Sequence, residues 1–304
     1  MLSFIGCFAV STLYLMKKNI SFFIIAGLLL STGTSFAQSA PEMPADKLSV
    51  SSVPRIKWSK DENSAFSPAY LKRFGRDLVE LPTKPFHWDG KEWAIAGGVV
   101  GGSLLAFTID DTVRQSLKSN RSGFFTSLSD VTTHWGDWKQ QVPIIMGVYA
   151  AGLATGDSTL NKIAADAAEA SIIAAGILNP IVVYVTGRAL PNADENAMEF
   201  KPFTPGRYSF PSGHTTAAFA LSTVLDQNLR AKFGYWQTPI LYGMAAGCGI
   251  SRVYDHTHYV SEVIWGAGVG WAVGYWIANK PRNANANTVF LVPLDNGAKL
   301  AYRF

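Results

Sequence analysis

Six apolar stretches recur along the chain, at 93–109, 142–155, 164–186, 215–225, 239–250 and 260–278. Several are rich in Gly, Ala and Ser, small residues that let one helix backbone approach another closely. This pattern leads to a bundle of about six apolar helices. Most of the stretches are shorter than the roughly 20 residues a spanning helix needs, so the number of helices is better defined than the number of membrane spans. Hydrophobic residues make up 48% of the chain and charged residues 16%, against about 25% charged in an ordinary soluble domain. That balance indicates a helical membrane protein or an unusually apolar bundle. The formal net charge of +4 is small and scattered, with no basic run among aromatics, and does not suggest a nucleic-acid partner.

The flanks have a different composition. Residues 1–37 read as an export signal, with Met16-Lys17-Lys18 as the positive region, 20–30 as the apolar core and Ser35-Phe36-Ala37 as a small-x-small cleavage site. Met16 could be the natural start, and an uncleaved anchor is the alternative. Residues 38–90 are polar and punctuated by prolines, a linker followed by surface segments with one short helix near 68–78. The helical core occupies 91–280. In the tail, 281–304, Asp295-Asn296-Gly297 separates two strand-like runs, and Asn-Gly favours the type I′ turn of a β-hairpin; a frayed tail is the alternative. The expected fold class is therefore all-α, with a polar N-terminal segment and a short C-terminal hairpin. The two cysteines, Cys7 and Cys248, offer no disulfide framework.

Chemistry concentrates in two clusters. In Phe210-Pro211-Ser212-Gly213-His214 a His follows Ser-Gly and opens an Ala/Thr-rich run, where a helix begins. Unpaired N–H groups at a helix start face any bound anion, and Gly213 lets that backbone come close. Ser212 adds a hydroxyl, and His214 can deliver a proton. The second cluster contains Ser251-Arg252, His256, His258 and Glu262. Arg252 presents a planar fork to phosphate oxygens. His258 and Glu262 lie four apart, so on a helix they share a face, and a carboxylate on one ring nitrogen leaves the other as a nucleophile. His256 beside Asp255 suggests a metal site only weakly. Trp135, Trp138, Trp236 and Trp276 lie near segment ends, which suits a membrane interface or a bundle rim, and Asp110-Asp111 marks the end of an apolar stretch.

Together these residues resemble the type 2 phosphatidic acid phosphatase superfamily, which includes lipid phosphate phosphatases, bacterial class A acid phosphatases and vanadium haloperoxidases. Its motifs are Lys-x6-Arg-Pro, Pro-Ser-Gly-His and Ser-Arg-x5-His-x3-Asp. The second is complete at Pro211-Ser212-Gly213-His214. The third is Ser251-Arg252 with His258, and Glu262 stands where the family has Asp. The first is degraded: in Gly187-Arg188-Ala189-Leu190-Pro191, Leu190 replaces an Arg, and Val183 replaces the Lys.

The resemblance implies hydrolysis of a phosphomonoester or diphosphate, without metal or other cofactor, through a phosphohistidine. His258 would attack phosphorus, Glu262 orient it and His214 protonate the leaving oxygen, while Arg188, Arg252, Ser212 and the Gly213 amide hold the phosphate oxygens. Lys201 or Arg207 could supply part of the charge missing from the first motif. The implied partner is a phosphorylated lipid or small phosphate ester, at a membrane of a bacterial-type cell envelope. The cations Arg230, Lys232, Lys280 and Arg282 at the far end favour an inner-membrane protein with an outward-facing, periplasmic site. A soluble periplasmic acid phosphatase and a catalytically weakened binding protein are the alternatives.

Overall fold

The computed structural model describes residues 68–193 and 195–280, together with the backbone of 288–294 and 297–303. The leader expected at 1–37 and the linker up to residue 67 lie outside the described residues. Within them the chain forms ten α-helices: α1 Pro68–Glu80, α2 Gly90–Phe107, α3 Asp110–Ser119, α4 Gly123–Thr133, α5 Trp138–Thr155, α6 Ser158–Ser171, α7 Asn179–Thr186, α8 Gly213–Phe233, α9 Gln237–Tyr254 and α10 Val260–Asn279. A π-helical stretch, Ile172–Leu178, joins α6 to α7 without a break.

Helix starts follow local side-chain chemistry. Asp89 accepts from the Lys91 and Glu92 amides at 2.9 Å each, and Glu92 reaches back to the Asp89 amide. This reciprocal cap satisfies donors that the first turn of α2 leaves unpaired. Asp137 and Asp157 cap α5 and α6 in the same sense. The short helices α3 and α4 were not expected, because neither is part of an apolar stretch. Both lie under the site, as described below.

The bundle is organised around α8, which is buried for most of its length and packs most closely against α10. Gly266, Gly270 and Gly274 put a bare backbone stripe of α10 against the Ser212, Thr216 and Ala220 carbonyls of α8. A Cβ at Gly270 would overlap the Thr216 oxygen. Gly270→Ala is therefore expected to push the two helices apart at a cost of about 2 kcal/mol, lowering the thermal midpoint by about 5 °C. An unchanged midpoint in a melting experiment would show that the contact is looser than this.

The segment before residue 90 is more than surface. Helix α1 buries Tyr70, Arg73 and Asp77, and Arg73 pairs with Asp166 and Glu169 of α6, both fully buried. Lys280, just beyond α10, closes on Asp77 and Glu80. An ionic seam thus attaches α1 to the core, correcting the expectation of a surface segment there. Trp135, expected at an interface or rim, is buried with its indole N–H on Ser222 Oγ at 2.8 Å.

The all-α core is as expected. In the tail, Thr288–Leu294 and Gly297–Arg303 run antiparallel, Leu294 opposite Gly297. The turn residues Asp295 and Asn296 lie outside the described residues, so the expected type I′ hairpin stays an expectation.

One continuous helix, Ser158–Thr186, is long and apolar enough to cross a membrane, and α2 with α3, bent by 57°, could form a second span. Both counts refer to the described residues.

Candidate active site

Three chain segments converge at one end of α8. The loop after α7 delivers Gly187, Arg188 and Ser209, the α8 start delivers Ser212 to His214, and the α9–α10 corner delivers Arg252 to Glu262. Backbone bonds connect them: Ser212 N–H donates to the Glu262 carbonyl at 3.3 Å, and Ser209 N–H to the Arg188 carbonyl at 3.3 Å. Asn179 Nδ2 holds the Pro211 carbonyl at 3.1 Å, beside Gly213.

His258 sits at the centre of this arrangement. Its Nδ1 lies 2.8 Å from the Ser209 carbonyl oxygen and 2.9 Å from Glu262 Oε2. A carbonyl oxygen can only accept, so Nδ1 must carry the proton, and Nε2 is left with its lone pair. Glu262 is itself fully buried. Its Oε2 also accepts from Ser209 Oγ at 2.7 Å and the Tyr259 amide at 3.1 Å, and its Oε1 from Arg188 at 3.0 Å. The longer arm of Glu, compared with the Asp of the family motif, therefore still reaches the ring.

His214 occupies the first turn of α8. Burial is the main cause of a ring pKa pushed down to about 4, and the Arg252 charge lowers it further, against an opposing pull from Asp137. His258 acts on it as well, so the two histidines and Arg252 share one electrostatic environment. Arg252 donates to Asp255 at 3.0 Å, and Ser129 of α4 holds the same carboxylate oxygen at 2.8 Å. The Arg252 carbonyl accepts from the Thr257 and His258 amides at 3.0 and 3.1 Å. Arg252 is thus positioned from both its head group and its backbone.

Two residues expected on phosphate oxygens have other partners. Ser212 is fully buried, and its hydroxyl accepts from Thr215 Oγ1 at 2.9 Å as the cap of α8. Arg188 is fully buried and engaged on every side. Its Nε donates to the Ala197 carbonyl at 2.8 Å, Nη1 to Ser261 Oγ and Glu262, and Nη2 to Asp110 at 2.7 Å. The Phe107 and Tyr259 rings lie 4.6 and 4.0 Å from its guanidinium. Arg188 therefore serves carboxylates in this arrangement, where the sequence places it on phosphate oxygens. The fallback cations are also engaged: Arg207 with Gly187, Glu195 and Glu199, and Lys201 with Glu195 and Glu199. Among the described residues no group of three or more His, Cys, Asp or Glu side chains is placed to hold a metal ion.

Residues 167–286 match the family model of the PAP2 superfamily. Over this part the chain is similar to the PAP2 superfamily. The PAP2 region contains every residue of the cluster from Arg188 to Glu262, whereas Asp110 and Ser129 precede it. The chain is 28% identical over 186 residues to lipid A 1-phosphatase of Porphyromonas gingivalis, covering 60% of this chain and 37% of that protein. It is 33% identical over 72 residues to lipid A 4′-phosphatase of the same organism, covering 24% of this chain and 29% of that protein. The chain thus spans well under half the length of either relative. Among solved structures, a transmembrane PAP2-type phosphatidylglycerolphosphate phosphatase from Bacillus subtilis overlaps with a TM-score of 0.47 at 19% identity, covering 62% of this chain and 94% of that one. LpxE from Aquifex aeolicus overlaps with a TM-score of 0.39 at 18% identity, over 56% of this chain and 94% of that one.

The site includes residues that sequence reasoning missed. Ser209, Asn179 and Ser261 carry no motif signal, and in the sequence Asp110 marks only the end of an apolar stretch.

Proposed function

We propose that this chain is a phosphatase that hydrolyses a phosphomonoester or diphosphate, most naturally of a lipid, through a phosphohistidine. The observation that carries the reading is the Nδ1 contact with the Ser209 carbonyl and Glu262, which leaves His258 Nε2 as the nucleophile. In the first step Nε2 bonds to phosphorus as the bond from phosphorus to the leaving oxygen breaks, and His214 gives that oxygen its proton. In the second, water attacks the phosphohistidine, His214 takes the water proton, and inorganic phosphate leaves with His258 regenerated. Arg252 and the first-turn amides at Gly213 and His214 face the charge that gathers on the equatorial oxygens.

A His214 held near 4 is neutral in the empty site at pH 7. Bound phosphate reverses this, because its negative charge offsets the Arg252 charge and draws a proton onto the ring. Substrate binding thus arms the general acid. His214→Ala is expected to slow alkyl phosphates by at least about 100-fold and activated aryl phosphates much less, since an aryloxide leaves with little help from a proton. Equal losses on both substrates would assign His214 to holding phosphate.

A lipid substrate suits the surface of the bundle. Leu105 of α2 and Phe124 and Val131 of α4 are 73%, 72% and 69% exposed, large apolar side chains suited to acyl chains more than to water. The named activities of the Porphyromonas gingivalis relatives, on lipid A, point the same way. An inner-membrane position with a periplasm-facing site belongs to this reading.

The test is turnover of a lipid phosphate and a soluble aryl phosphate, with and without detergent. Preference for the lipid in detergent supports the proposal. Equal turnover of both without detergent favours a soluble broad-specificity phosphatase, and binding of phosphate with no turnover favours a weakened binding protein, the reading that Val183 and Leu190 support.

A further inference from the structure

Asp110 stands 151 residues from the helix whose start it holds. It lies in the first turn of α3 and is 1% exposed. No side chain caps the start of α3, and Asp110 turns both oxygens toward α10. Its Oδ1 accepts from the Ser261 amide at 3.1 Å, and its Oδ2 from Ser261 Oγ at 2.6 Å and Arg188 Nη2 at 2.7 Å. One carboxylate thus caps the first turn of the helix that carries Glu262 and anchors the guanidinium that holds Glu262 Oε1. Ser261 is held from a further side, its carbonyl accepting from Ser103 Oγ at 2.9 Å.

We propose that Asp110 is a positioning residue for the reaction, fixing Arg188 and the α10 start, through them the Glu262 carboxylate, and through Glu262 the His258 ring. The inference rests on His258 being the nucleophile. Its chemistry follows from counting charge. Asp110, Arg188 and Glu262 together carry one net negative charge in a site closed to water. Attack through Nε2 leaves positive charge on the imidazole ring, and that net charge stabilises it across the Nδ1 bond. A single Arg serving Glu262 alone would cancel the charge that the ring needs. Shared with Asp110, Arg188 fixes the carboxylate in place without neutralising the cluster.

The experiment compares the wild type with Asp110→Asn, which keeps the shape and removes the charge. The expected result is a kcat lower by roughly tenfold or more, the size found when the partner behind a histidine's own partner is lost, with KM within about twofold because Asp110 touches no substrate. A merely structural role would not shift the pH profile in a defined direction. The groups around His258 are Glu262, with Arg188 and Asp110 behind it, and His214, on which Arg252 also acts. With Asp110 neutral, Arg188 acts undivided on Glu262, and the acid limb of kcat/KM moves to lower pH.

Ser261→Ala keeps every charge and loosens the same ties. It should lower kcat in the same sense without moving the limb, and it covers the case in which Asp110→Asn does not fold. A folded Asp110→Asn protein with wild-type kcat and an unmoved limb overturns the proposal, as does a Ser261→Ala protein with wild-type kcat where the Asn variant fails to fold. Absence of turnover in the wild type, measured alongside, would overturn the phosphatase reading first and this inference with it.

Discussion

His258→Ala is expected to eliminate turnover, by at least about 1000-fold, while leaving the protein folded. The structure separates the two outcomes. The side chain is 11% exposed at the site, and its Nδ1 bonds to the Ser209 carbonyl and Glu262. On truncation Glu262 keeps the Arg188, Ser209 and Tyr259 donors, so no buried charge is stranded. Only the nucleophile is lost. Rapid quench with radiolabelled substrate should trap an acid-labile, base-stable phosphoenzyme in the wild type and none in the variant. Residual turnover above about a tenth of wild type, with label still trapped, would move the nucleophile to another residue. Loss of the thermal transition in the variant would instead show that the Nδ1 bonds hold the α9–α10 corner together.

The course from sequence to site was readable where one local rule decided the outcome. The segment Ser212-Gly213-His214, opening an Ala/Thr-rich run, reads as a helix start, and α8 begins at Gly213. The spacing of His258 and Glu262 places them one turn apart, and they bond at 2.9 Å. The carboxylate partners of Arg188 were not legible, for a physical reason. A guanidinium fork fits phosphate and carboxylate equally well, and its partner Asp110 lies 78 residues away, on a helix too short and polar for the apolar pattern to reveal. Ser209 was invisible because its main contribution is a backbone carbonyl, which any residue carries. The Gly266, Gly270 and Gly274 stripe could be seen as small residues suited to close packing, but not which helix it would meet.

Arg188→Ala is expected to be the most damaging substitution in the first motif, and the damage should appear first in stability. Removing the guanidinium leaves Asp110 and Glu262 buried in one site without their shared cation, and breaking a buried pair in this way costs about 3–5 kcal/mol. A fall in the thermal midpoint of about 10 °C or more should accompany the loss of turnover. Arg188→Lys should rescue little, because one ammonium cannot span the four acceptors now served by a planar fork. If Arg188 instead held phosphate, Arg188→Ala would leave the melting curve in place and weaken inhibition by inorganic phosphate. Leu190→Arg is the complementary test. Leu190 is only partly buried, so an Arg there can run its stem along the loop and keep its head in the site. One added charge-assisted bond should then raise kcat/KM by about tenfold. A drop in both kcat/KM and melting temperature would show that the loop has been rebuilt around an apolar residue, leaving Arg252 and the α8 amides as the phosphate clamp.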